Sequence, residues 1–198
     1  MAEQIKDGTG SGTLVGVDAQ NRLETFTVTE SGDLDASNRG DAYNINTGII
    51  SLTNAVDTPV LYIKNNEDRS LIVTGIVIGV FNSTNGSSTA DMYATFVRNP
   101  TAGTINESAP ADVAINSNRN YSSSQTLTAD AYVGATDDTM TNGDDHIIVR
   151  LSAGSRSLIG ITEVLGQGAT LGVKIKPPTS NTAMSCYVAA VCYLHKKD

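Results

Sequence analysis

The sequence predicts an all-β chain: an antiparallel β-sandwich, jelly-roll-like, with an extended N-terminal arm. Three observations carry this expectation. No long stretch keeps a 3.6-residue apolar period, and glycine, serine, threonine and asparagine recur throughout, which interrupts helices and supplies turns. Apolar residues recur instead in short runs, several of period two and rich in β-branched side chains. Gly/Asn/Asp/Pro turns separate these runs at the spacing of an antiparallel sandwich, and about eight such strands close two sheets around one core.

The first forty or so residues have a different texture and read as an arm, residues 1–41, ahead of a sandwich domain, residues 42–198. "GTGSG" (8–12) reads as a flexible joint. "TLVGV" (13–17) and "NRLETFTV" (21–28) read as a small hairpin, with "DAQ" leading into its turn. An isolated two-stranded hairpin is marginal in water, so it needs its own domain, a neighbouring subunit or another protein to lean on. "ESGDLDASNRG" (30–40) is polar and predicted to lack regular structure. The tripeptide Arg39-Gly40-Asp41 matches an integrin-binding motif, but it leads straight into "AYNINTGIISL" and reads as a turn before a strand.

The strands follow in order. "PVLYIKN" (59–65) alternates after a proline. "SLIVTGIVIGVF" (70–81) is predicted as a strand buried on both sides. Ile72, Ile76, Ile78 and Val80 would share one face, and Val73, Gly75, Val77 and Gly79 the other, with the glycines allowing close approach or a bulge. "SSTADMYATFVRN" (87–99) is expected to pair back on it as a hairpin across "NSTNGS". Residues 99–124 are expected to form a polar excursion loop. "QTLTADAYVG" (125–134), "HIIVRL" (146–151), "RSLIGITEVL" (156–165) and "ATLGVKIKP" (169–177) continue the series. In "MSCYVAAVCYLH" (184–195), Met184, Cys186, Val188, Ala190, Cys192 and Leu194 share one face, and the other face is also largely apolar, which predicts a strand inside a sheet. Cys186 and Cys192 would lie about 20 Å apart along that strand, beyond the reach of a disulfide, and read as small buried residues.

The chain has 198 residues, 39% hydrophobic and 17% charged, with a net charge of -8 and a pI near 4.6. An acidic balance argues against nucleic acid as the main partner. No 18-residue apolar run predicts a membrane span, and the first residues lack the apolar core of a secretory signal, so the chain is expected to be made in the cytoplasm. No chemistry-bearing pattern emerges. His146 and His195 stand in no ligand spacing, no Gly-x-Ser-x-Gly elbow occurs, and "GTGSG" is followed by no Gly-Lys-Ser/Thr. "TDDTMTNGDD" (136–145) gathers Asp137, Asp138, Asp144 and Asp145, but not at the spacing of a calcium loop. A hydrolase using these carboxylates would need a shaped cleft. The seven tyrosines are scattered and assemble no carbohydrate platform. The expectation is therefore a chain that is not an enzyme, with no catalytic residue, no cofactor and no metal.

The leader "DGTGSG…VD…NRL", the segment "GDAYN…TG…LT", the strand "LYIKNNEDRSLIVTGI" and the closing "GVKIKPPTSNTAMSCYVAAVCYL" together resemble a group of tailed-bacteriophage virion structural proteins. The resemblance covers nearly the whole chain. It implies a non-enzymatic virion protein of the capsid decoration (cement) type, on the outer surface of the phage head. Its implied partners are the major capsid protein and neighbouring copies of itself, as a homotrimer. On this expectation the glycine joint lets residues 13–28 add to a neighbour's sheet edge, with Leu14, Val15, Val17, Leu23 and Phe26 as the partner-binding residues. The alternative is a receptor- or glycan-binding module of a phage head or tail fibre, which would need an exposed aromatic or acidic pocket.

Overall fold

The computed structural model describes residues 16–17, 23–24, 31–82, 92–106, 118–152, 154–179 and 184–196. The chain forms two compact units, residues 1–31 and 32–198. In the first, β1 (Gly16–Val17) pairs antiparallel with β2 (Leu23–Glu24), Gly16 opposite Glu24 and Val17 opposite Leu23. These two pairs fall in the two halves of the expected hairpin. The rest of the arm lies outside the described residues.

The second unit opens on a helix where the sequence reading expected irregular chain. In α1 (Gly32–Arg39), Asp33 and Asp35 occupy the first turn and Arg39 the last, the arrangement that complements the helix dipole. Arg39 Nε donates to Asp35 Oδ2 at 3.0 Å, four residues back. The helix ends in a Schellman cap. Gly40, at φ 79°, donates to the Ser37 carbonyl at 3.1 Å, and the Asp41 amide donates to the Ala36 carbonyl at 2.7 Å. Ala36 is the one helical side chain that is fully buried. Eight residues with a single buried position leave too little periodicity to read from sequence, so the expected boundary at 41/42 falls inside the second unit.

Two antiparallel sheets make up the rest. The first has the order β10 (Arg156–Leu165), β6 (Leu71–Asn82), β12 (Met184–Leu194), β3 (Ala42–Asn46), with β4 (Ile50–Leu52) also pairing β12. The second has the order β8 (Ala129–Val133), β5 (Thr58–Asn65), β11 (Thr170–Lys176), β7 (Met92–Arg98), β9 (Asp144–Leu151). The protein is an all-β sandwich, and the chain changes sheet at each step from β4 to β7 and again from β9 to β12. Ile63, Phe96 and Val173 from one sheet and Ile45, Ile76 and Val188 from the other fill one core, each at 1% exposure or less.

Two expectations are corrected. First, β7 does not fold back on β6 as a hairpin. β6 has both edges occupied, by β10 and β12, and β7 lies in the other sheet between β11 and β9. The alternating set Met92, Ala94 and Phe96 meets the same core from the opposite side. Second, the faces of β6 switch partway. Val191 of β12 faces Gly75 while Cys192 faces Val73, so Thr74 is an extra, bulged residue whose hydroxyl donates to the Val191 carbonyl at 3.3 Å. Beyond it the parity flips: Leu71 and Val73, not Ile72, join Ile76, Ile78 and Val80 in the core. At Gly79 the close approach is real, because a Cβ there would stand 2.0 Å from the ring of Tyr187 on β12.

The end of the excursion loop closes the β3 edge. The Arg119 amide donates to the Ala42 carbonyl at 2.8 Å, and Asn118 Nδ2 donates to the Gly40 and Gln125 carbonyls at 2.6 and 3.1 Å.

Two predictions follow from this packing. Val188 is fully buried, so Val188→Asp would bury an unpaired carboxylate and cost several kcal/mol, a large part of the about 5–15 kcal/mol that holds a domain together. A thermal melt that matches the parent would contradict the strand assignment. Removing residues 1–31 should leave a cooperatively melting domain, whereas removing 1–41 also deletes α1 and the buried Asp41 and should lower the midpoint by many degrees. Circular dichroism melts of the two truncations separate the cases.

Candidate interaction surface

The structure places the expected arm residues unevenly. Val17 and Leu23 face each other across β1 and β2. Leu14, Val15 and Phe26 lie outside the described residues.

The Arg39-Gly40-Asp41 tripeptide is built into the fold. Asp41 is 5% exposed. Its carboxylate pairs with Arg39 and takes a two-pronged contact from Arg69, Nη1 to Oδ2 at 2.9 Å and Nη2 to Oδ1 at 3.0 Å. The motif is a helix cap with a buried acid, and Asp41 is not offered to a receptor.

The acidic loop is divided among separate tasks. Asp138 accepts the Ala135 amide at 2.6 Å, Asp145 pairs with Lys174 at 3.1 Å, and Asp144 stands opposite Arg98 of β7. Part of the loop lies over β11: Met140 Sδ would meet a Cβ on Gly172 at 2.7 Å, and Thr141 exchanges amide–carbonyl bonds with Thr101 at 2.7 and 3.0 Å. Among the described residues, no three His, Cys, Asp or Glu side chains are placed to hold a metal ion. The His195 ring meets the neighbouring Lys196 carbonyl through Nδ1, at 2.9 Å. His146 Nε2 lies 3.2 Å from Glu163 Oε1, which joins β9 to β10.

That contact sits in a cleft of about 330 Å³ where the edges of the two sheets come together, lined by Arg98, Asn99, His146, Glu163, Leu165 and Leu171 among others. Its one carboxylate–imidazole pair is mutually engaged, and no tyrosine lines it. Tyr62 and Tyr132 stack on each other instead, with ring centroids 5.8 Å apart. Tyr43 is buried with its hydroxyl unbonded, and burial together with the nearby Asp41 pushes its pKa up to about 12.

The prominent surface feature was not anticipated from sequence. β9 and β10 are the end strands of their sheets. Their outward side chains include Ile148 at 63%, Leu158 at 71% and Val164 at 62% exposure. Ile147, Val149 and Ile159 pack on the core yet stay partly exposed, so the sandwich is incompletely covered along this flank. "RSLIGITEVL" carries no proline and no lysine, the usual guards of an edge, so nothing in these ten residues marked the strand as an outer one.

No protein-family model and no curated protein sequence matches the chain. Among solved structures, a chain from the crystal structure of the T13 IBDV viral particle is similar over 92% of this chain and 35% of its own, at 14% identity and a TM-score of 0.33. A CocE/NonD family hydrolase from Staphylococcus aureus is similar over 78% of this chain and 32% of its own, at 8% identity and a TM-score of 0.21. The chain thus spans about a third of the length of each. At these values the likenesses do not choose between a viral particle chain and a hydrolase.

Cys186 and Cys192 are both free and fully buried, and burial pushes each thiol up to about 12 from an ordinary 9.0. The unfolded chain therefore releases these protons first. The stability they contribute is complete below about pH 9 and is lost as the pH rises toward 12. Tyr43, raised from 10.0 to about 12, acts in the same direction at slightly higher pH. At pH 9, iodoacetamide should label neither cysteine in the native protein and both in urea. Rapid native labelling with an unchanged circular dichroism spectrum would refute the burial.

Proposed function

We propose that the protein is a non-enzymatic virion structural protein, a capsid decoration (cement) protein held on the outer surface of a phage head. The observation that carries this reading is the division of the chain into a sandwich, residues 32–198, and a separate hairpin-bearing unit, residues 1–31. The resemblance to phage virion proteins covers nearly the whole chain and includes this leader. A body with its own core, and a leader that forms a second unit, suit a protein anchored to a lattice through main-chain pairing.

The strand order supports a jelly-roll reading of the body. With β3 and β4 as one unit, the sheets run β3–β12–β6–β10 and β5–β11–β7–β9, the interleaving that two Greek keys generate, with β8 added beside β5. On this reading the partners are the major capsid protein and neighbouring copies of the chain. Because the protein would bind only the assembled shell, it stabilises that shell by mass action, about 2.7 kcal/mol per site at a hundredfold excess over the dissociation constant.

The test uses capsids stripped of this protein. The full chain should co-sediment with them and raise their melting temperature, and the chain lacking residues 1–31 should bind at least about tenfold more weakly. Failure of the folded full chain to bind stripped capsids, or specific hits for it on a glycan array, would replace this reading with the receptor-binding alternative.

A further inference from the structure

At the cleft of about 330 Å³ the two sheets turn charged side chains toward each other. Arg98 ends β7 two residues after Phe96 and stands opposite Leu171 of β11. Phe96 and Leu171 belong to the core, so strand alternation puts Arg98 on the inner face of its sheet. Glu163 of β10 stands opposite Val73 of β6, and Val73 and Leu165 belong to the core, so Glu163 faces inward from the other sheet. Arg98 and Glu163 both line the cleft, over a floor of Leu165 and Leu171. Three backbone irregularities converge here. His146 is an extra residue in β9, between the pairs Phe96–Ile147 and Val97–Asp145. Ile161 and Thr162 of β10 stand against Thr74 alone, just ahead of Glu163. Asn99 takes φ 51°, its amide donating to the Thr170 carbonyl at 3.0 Å. Bulges and left-handed residues re-aim side chains and gather at binding sites.

The cleft holds both signs of charge, and they are not spent on each other. Glu163 Oε1 takes the His146 contact, and an imidazole N–H donating there leaves the carboxylate charged and its second oxygen open. Arg98 makes no ion pair and no side-chain hydrogen bond among the described residues, and its register partner Asp144 does not line the cleft. An anion alone would face Glu163, and a cation alone would face Arg98. A molecule carrying both charges satisfies both walls. The volume stands near the lower end of small-molecule sites, about 300–1,000 Å³, which favours a ligand of few atoms.

We infer that the cleft binds a small zwitterion, a free α-amino acid with an apolar side chain. Arg98 takes the carboxylate, Glu163 takes the ammonium, and the side chain lies on Leu165 and Leu171. The inference does not rest on capsid attachment, and its failure would leave that reading, tested separately above, untouched.

Amide NMR spectra of the isotope-labelled full chain, titrated with L-leucine to about 10 mM, should show saturable shifts at Asn99, His146 and Thr170, with a dissociation constant of about 1 mM or below. Isocaproate, which lacks the amine, and isoamylamine, which lacks the carboxylate, should each bind at least about tenfold more weakly. Arg98→Gln and Glu163→Gln should each weaken L-leucine at least about tenfold. Both should keep the parent's melting curve, since Arg98 is exposed and a glutamine oxygen still accepts from His146. Were Glu163→Gln to lower the melting midpoint, Arg98→Gln alone would carry the test. Absence of saturable shifts across the titration, isocaproate or isoamylamine binding as tightly as L-leucine, or an affinity unmoved by Arg98→Gln would each overturn the inference.

Discussion

The fold rests on one strand buried on both of its edges. β12 pairs with β6 along eleven residues on one side and with β3 and β4 in succession on the other. Its core-facing set, from Met184 through Leu194, is fully buried. Without it β3 and β4 have no place in the sheet, and β6 loses half its hydrogen bonds. The features around it serve the same register. The Thr47 hydroxyl accepts the Val188 amide at 2.9 Å where β3 gives way to β4. Tyr187 lies over Gly79, and the Thr74 bulge realigns β6 with the last residues of β12.

A second layer of order comes from polar groups that are buried and paired. Asn65 is fully buried, and its amide donates to the Arg69 and Leu165 carbonyls, each at 2.8 Å, while its Oδ1 accepts the Glu67 amide at 3.0 Å. Asp41 plays the matching role, its carboxylate accepting from Arg39 of α1 and from Arg69. Each group is satisfied, so it fixes geometry where a lone polar atom would cost about 1–3 kcal/mol. These contacts explain why chemistry-bearing side chains at this end of the molecule are committed to structure.

Strand existence was legible because period two and β-branching act within a few residues. β5, β6, β9, β10, β11 and β12 begin and end within about two residues of the runs read from sequence. What failed was whatever depends on distant parts of the chain. The β6–β7 hairpin was inferred from adjacency, yet the edges of β6 belong to strands that come more than seventy residues later. The face of Ile72 was assigned by counting twos, and one bulged threonine reverses the count. α1 was missed because its stabilising features, a Gly40 cap and the Arg39–Asp35 pair, look like any polar turn until the backbone is known. The β1–β2 pairing was legible in the leader, whereas the open flank was not, because whether a strand is an edge depends on sheet order and not on its own residues.

The crossing of the chain between sheets has a consequence for how the molecule is made. Neighbours in space are seldom neighbours in sequence here, and few strands find a partner across a short loop. Contacts of high sequence separation must form before burial rewards them, which makes such topologies slow to fold. The strand at the centre of one sheet, β12, follows every strand that flanks it. During synthesis β3, β4, β6 and β10 therefore emerge with unfilled edges, and the sheet closes only once β12 has left the ribosome. Until then the apolar set of β6 is exposed to any other nascent chain, so the interval before closure is the period of greatest aggregation risk.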